Sequence, residues 1–393
     1  MKEVRELLFE LLRHGSDAVW LARAGEARTD EMDALAGRCT PQVLKELFCL
    51  AKRHDMAHFL AEVLDKLGVL DEASPECKAF LSSRQLAVYR YEQIKYECER
   101  LYDAFERAKI FYIPLMGAVI RELYPEPWLR TSCDVDILVS EADLETAISA
   151  CEELEYTRQK KGYHDVSFLS PGKVHLELHF SICENYKHLD KVLKQVWDNV
   201  QPASDTGYRY ALTPEFLIFH NVAHATYHFL EGGCGIRPLL DIWFLRNRTE
   251  FDETQVLALC EQAGIAKFYE GLIQLSEVWF SGVEHNALTR EMEDYIIDGG
   301  VYGTMENKLS VKTRNRGKIG YFIALAFLPY ENMKVLYPVL GKHKILLPFC
   351  WVRRWCRIAF GGMSQAGRHA IKTKVSKKDV QKASQLLSEL ELL

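Results

Sequence analysis

Leu7, Leu8, Leu11 and Leu12 recur at the three- and four-residue spacing of one helix face. Val43, Leu44, Leu47 and Leu50 repeat that period, and so do Leu60, Val63, Leu64 and Leu67, before Gly68 stops the run. The pattern predicts helices through residues 1–104. Between residues 105 and 180 the period shortens to two. Ile110–Leu115 is β-branched and aromatic, which predicts a short strand ending at Met116-Gly117. Residues 118–124 read as a helix closed by Tyr124-Pro125-Glu126-Pro127. Asp134–Val139 is a second strand, and Ser140-x-x-Asp143 starts a helix running to about Leu154. A third strand, Val174–Phe180, alternates cleanly. Helices return at Thr213-Pro214-Glu215 and continue, broken near Gly232-Gly233 and Gly361-Gly362. The expected fold is α+β: a small mixed-sheet module (residues 105–204) flanked by mainly helical regions (1–104 and 205–393).

Composition narrows the class. A chain of 393 residues exceeds one typical domain, and its 48% hydrophobic and 26% charged residues are those of a globular protein. The eleven cysteines contain no C-x-x-C pair, so neither a zinc knuckle nor a disulfide framework is indicated. The N-terminal segment is a mixed-charge amphipathic helix, not a signal sequence. The apolar stretch near Ile345–Phe349 is bracketed by Lys342, Lys344, Arg353 and Arg354, too short to span a bilayer. A cytoplasmic protein with no membrane partner is expected. Charge is uneven: residues 301–393 hold 17 Lys and Arg against 5 Asp and Glu, the remainder 32 against 50. That basic third either serves an anionic ligand or is solvated and docked within the molecule; the second reading is preferred.

The chemistry concentrates in Asp134-Val135-Asp136. Residues two apart on a strand share a face, so both carboxylates project together while Val135, Ile137 and Val139 cover the other side. Like charges that close call for a cation between them. Oxygen ligands favour Mg²⁺ or Mn²⁺, shared with substrate phosphates. On the third strand His175, Glu177 and His179 alternate with apolar residues; beside the Asp strand, Glu177 reaches the same metals. Three such carboxylates suit in-line displacement at phosphorus. Upstream, Gly117 permits close backbone approach, and the helix after it offers unpaired N–H groups to an anion.

Taken in order, Gly117, Tyr124-Pro125, Arg130-x-x-x-Asp134-x-Asp136 and His175-Leu-Glu177-Leu-His179 resemble a bacterial group of uncharacterised nucleotidyltransferases of the polymerase-β-like superfamily. The resemblance implies transfer of a nucleoside monophosphate from an NTP, ATP among them, to an acceptor. Asp134 and Asp136 would bind both metals and Glu177 complete the site, with Gly117 and Ala118 facing the triphosphate. Where that group usually has Leu-Lys-Gly this chain has Leu115-Met116-Gly117, and Ala118 stands where the superfamily often has Ser. Arg130 either supplies the missing positive charge or pairs with a nearby acid. These departures motivate a second reading, a catalytically silent binding or scaffold protein. A D-x-D glycosyltransferase ranks last, because about 100 helical residues precede the motif.

His220, His224 and His228 are spaced four apart and share one helix face. With Asp241 they form either a transition-metal site or a polar face turned toward the cleft, where His224, His228 and His179 would meet substrate. Arg237 and Asp241, also four apart, are expected to pair. Lys342, Lys344, Arg353, Arg354 and Arg357 interleave with Phe349, Trp351 and Trp355, which suits nucleic acid or helix packing; packing is favoured.

Overall fold

The computed structural model describes residues 2–24, 29–301, 303–313, 320, 323, 326–360 and 376–392. The N-terminal part is helical: α1 (Lys2–Ser16), α2 (Ala18–Ala24), α3 (Asp30–Gly37), α4 (Pro41–Arg53), α5 (Ala57–Lys66) and the long α6 (Pro75–Ala108). Pro41 and Pro75 sit in the first turns of α4 and α6, where a missing N–H costs nothing. The α/β portion follows as β1 (Tyr112–Pro114), α7 (Gly117–Ile120), β2 (Asp134–Val139), α8 (Leu144–Glu153), β3 (Thr157–Lys161), β4 (Asp165–Leu169) and β5 (His175–His179). After α9 (Lys187–Leu193) and the small hairpin β6 (Val200–Pro202)–β7 (Tyr210–Leu212), helices resume. They are α10 (Pro214–Leu230), α11 (Arg237–Arg248), α12 (Glu253–Gln262), α13 (Ala266–Ser281), α14 (Ala287–Gly299), α15 (Met305–Thr313), α16 (Tyr330–Leu336), α17 (Leu347–Phe360) and α18 (Lys377–Glu389). The α+β class is as expected.

The main sheet has the order β1-β2-β5-β4-β3. β2 and β5 run parallel, and the other neighbours are antiparallel. The hairpin β3–β4 was not expected from the sequence: Thr157–Lys161 is an edge strand of polar residues without an apolar period. The start of α8 also lies later than Ser140. The Ser140 hydroxyl accepts from the Asp143 N–H at 3.1 Å, yet the helix begins at Leu144. The predicted break at Gly361-Gly362 lies outside the described residues.

One face of the sheet is apolar. Val135, Ile137, Val139, Leu176 and Leu178 are buried against α6 and α8 with Phe105, Ile148 and Phe168. Each such side chain contributes about 1.5–3 kcal/mol by leaving water. This packing fixes the register of β2 and β5, because a one-residue slip would turn the apolar set outward. A second core joins the N-terminal helices to α10, α11 and α13. Its helices stand over the polar face of the sheet, and the space left between is the site. No helix among the described residues is long and apolar enough to cross a membrane.

Candidate active site

The register sets Asp134 of β2 beside His175 of β5, Asp136 beside Glu177, and Leu138 beside His179. Directly paired residues on neighbouring strands share a face, so Asp134, Asp136, Glu177 and His179 converge. Two overlapping groups result, Asp134–His175–Glu177 and Asp136–Glu177–His179, and within each the candidate ligand atoms lie within 4.8 Å of one another. Both contain Glu177. Such groups can hold divalent cations, but the donor set is not oxygen alone as expected from the D-x-D motif: two imidazoles belong to it. Imidazole among the donors widens the range of divalent cations that such a set could hold.

The electrostatics are those of crowded acids. Burial and then the negative charge of Asp136 raise the Asp134 carboxyl above its ordinary range. Burial and Asp136 likewise push Glu177 up to about 7. Burial would raise Asp136 too, but the His179 Nε2–H donating to its Oδ1 at 3.1 Å outweighs that and lowers it. His179 also lies 3.6 Å from Glu177 and stacks on His164, ring centres 5.4 Å apart.

The opposite wall comes from α10. His220, His224 and His228 line the same cavity as the carboxylates, a space of about 370 Å³ closed also by Met116, Gly117, Glu184 and Arg237. Its size falls in the range of small-molecule sites. His224 Nδ1 is 3.0 Å from Glu184 Oε1, and His224 Nε2 is 3.0 Å from His228 Nε2. Burial alone would raise the Glu184 carboxyl, but its His224 partner lowers it, so it is ionised and only accepts. His224 Nδ1–H therefore donates to that carboxylate, and a single hydrogen joins His224 Nε2 to His228 Nε2. Burial, then His224, hold His228 neutral, with a value of about 4. The sequence reading did not single out Glu184, His164 or Asp165. Asp165 stands opposite His179 on β4 and was legible in the Asp165-x-Ser167 alternation.

Asp241 does not belong to the histidine face, and it does not pair with Arg237. It accepts two bonds from Arg130, Nε to Oδ1 and Nη2 to Oδ2, both 2.8 Å, and a third from the Tyr124 hydroxyl at 2.7 Å. Arg130 and Asp241 are both buried. Arg237 sits in the first turn of α11, and its Nη1 turns instead to the Thr131 carbonyl at 2.6 Å and Asp55 at 3.6 Å. Asp55 also accepts from the Thr131 hydroxyl, and His58 Nε2–H donates to the Leu129 carbonyl at 2.8 Å. The N-terminal helices thus clamp the segment that enters β2.

The turn before α7 departs from expectation. The Ala118 N–H donates to Leu115 O, and those of Val119 and Ile120 donate to Met116 O, so these amides are used within the turn. Met116, not Gly117, adopts positive φ, at 43° with ψ −111°, a conformation that suits Gly at the second position of a type II′ turn. Gly117 is needed for space: a Cβ there would lie 2.6 Å from Arg130 Nη1 and 3.2 Å from Ser132 Cβ.

The sequence model of the uncharacterised nucleotidyltransferases matches residues 41–281, more than half of the chain. The protein belongs to that family. The matched stretch takes in the clamp at Asp55 and His58, the sheet and the histidine helix α10. No curated protein and no solved structure matches the chain.

Proposed function

We propose that this family member is a metal-dependent nucleotidyltransferase that moves a nucleoside monophosphate from an NTP to an acceptor hydroxyl, with 105–204 as its catalytic module. The observation that carries the reading is the in-register pairing of Asp136 with Glu177, which joins the two candidate ligand groups through one carboxylate. Asp134, Asp136 and Glu177 would hold the cation. A bound Mg²⁺ or Mn²⁺ would neutralise the triphosphate and polarise the α-phosphate. His179 orients Asp136 through its hydrogen bond.

Across the cavity, the Glu184–His224–His228 chain presents imidazole nitrogens to the acceptor. An imidazole of that chain takes the proton from the acceptor hydroxyl as its oxygen bonds to the α-phosphorus. The bond from the α-phosphorus to the bridging oxygen breaks, and pyrophosphate leaves with the electron pair. Gly117 supports the triphosphate from the cavity wall. Arg130, saturated by Asp241, shapes that wall, and Arg237, held there by Thr131 and Asp55, would be a cation in place of the Lys absent at position 116.

A second reading, a nucleotide-binding scaffold without turnover, is favoured by Met116 in its strained turn and by the missing hydroxyl at Ala118. Thermal melts with each NTP and Mg²⁺ or Mn²⁺ come first. Cation-dependent stabilisation that vanishes in Asp136→Asn supports a nucleotide site; no shift with any NTP at millimolar level removes both readings. Pyrophosphate release then separates the enzyme from the scaffold.

A further inference from the structure

Among the described residues, none after Val301 lines the cavity. Between Glu331 and Asp379 there are eleven Lys and Arg and no acid. Within that stretch α16 and α17 enclose a small core of their own: Met333, Tyr337, Leu340 and Cys350, with Trp351 packed against it. Trp351 and Trp355 are tied down, their Nε1–H groups donating to Leu328 O at 3.0 Å and Ala326 O at 2.8 Å. Helix packing accounts for the tryptophans, as the sequence suggested. It does not account for Phe349.

Ile345, Phe349 and Val352 are 83%, 72% and 51% exposed. They are spaced four and three residues apart, and exposed Cys356 follows four further on, so they form one stripe along α17 and the turn before it. Exposed Lys342, Lys344, Arg353 and Arg357 border it. We propose that this stripe and its basic rim dock on an anionic phospholipid surface. Apolar side chains of an interfacial helix enter the acyl boundary while flanking cations meet the headgroups. Charge complementarity selects the lipid, since a stretch without an acid is attracted to phosphate headgroups. Nucleic acid would use the same cations, but it has no use for an exposed aliphatic stripe, and the stacking tryptophans are already engaged. That no helix among the described residues spans a membrane is no obstacle, because an interfacial helix lies on the bilayer.

The test is co-sedimentation of the full chain with vesicles of phosphatidylcholine alone or mixed with phosphatidylglycerol. Two variants serve, Ile345→Ser with Phe349→Ser, and Arg353→Gln with Arg357→Gln. All four side chains are exposed or at the helix surface, so unchanged melting curves verify folding. The expected result is binding to phosphatidylglycerol vesicles only, weakened by salt and at least about tenfold by either variant. Failure of the wild type to sediment, or binding by both variants equal to that of the wild type, overturns the proposal. So does binding of single-stranded RNA in preference to vesicles, which would assign the surface to nucleic acid.

Discussion

A buried acid and a half-buried cluster of acids face the same cavity and are handled in opposite ways. Asp241 is saturated: Arg130 grips both its oxygens and Tyr124 adds a third bond. Asp134, Asp136 and Glu177 are set side by side by the β2–β5 register, with imidazoles as their counterparts. The first arrangement is complete as it stands, and its charges serve to hold α11 against the segment entering β2. The second concentrates negative charge that folding alone gives no reason to collect. A fully compensated acid is scaffold, and a cluster that imidazoles compensate only in part is one that could hold a cation.

The largest expected effect is on the saturated group. Asp241→Asn leaves Arg130 buried without its counter-charge, and we expect a loss of about 3–5 kcal/mol in denaturant unfolding. A loss under about 1 kcal/mol would mean that the pair is not truly withdrawn from water.

Buried imidazoles sharpen the contrast, because they avoid the problem by staying neutral. His54 donates from Nε2 to the Ile297 carbonyl at 3.2 Å, and burial, then the Arg53 charge, pull it down to about 4. Its folded value is below the unfolded one, so its contribution is complete above pH 6.5 and is lost as the pH falls toward 4. The loss should approach about 3 kcal/mol. His54→Gln should flatten the stability profile in that window, and an unchanged slope would contradict the assignment.

The smallest effect has the opposite sign. Glu177→Gln removes a like charge facing Asp136, and should stabilise the cation-free protein by about 1 kcal/mol while weakening cation binding. Destabilisation of the same order as Asp241→Asn would erase the distinction between the two groups.

Much of the site was legible in the alternation of two short strands. Asp134-x-Asp136 and His175-x-Glu177-x-His179 each declare a polar face, and burial of Val135, Ile137, Leu176 and Leu178 on the other side makes the faces coincide. The partners made by long-range folding were not legible. Asp241 lies one helical turn from Arg237, which suggests a pair, yet the guanidinium that reaches it is 111 residues away in the sequence. Glu184 lies in an irregular segment with no period to mark it. The polar edge strand Thr157–Lys161 is held by pairing with β4 and not by an apolar face of its own. Position 117 needs Gly because Arg130 packs against it, while the backbone strain that a glycine usually signals falls on Met116.

Calorimetric titration of the metal-free protein with Mn²⁺ tests the central claim most directly. The account predicts binding in the wild type and in His228→Gln, and its loss in Asp136→Asn with the fold intact. No binding in the wild type, or equal binding in Asp136→Asn, would contradict it.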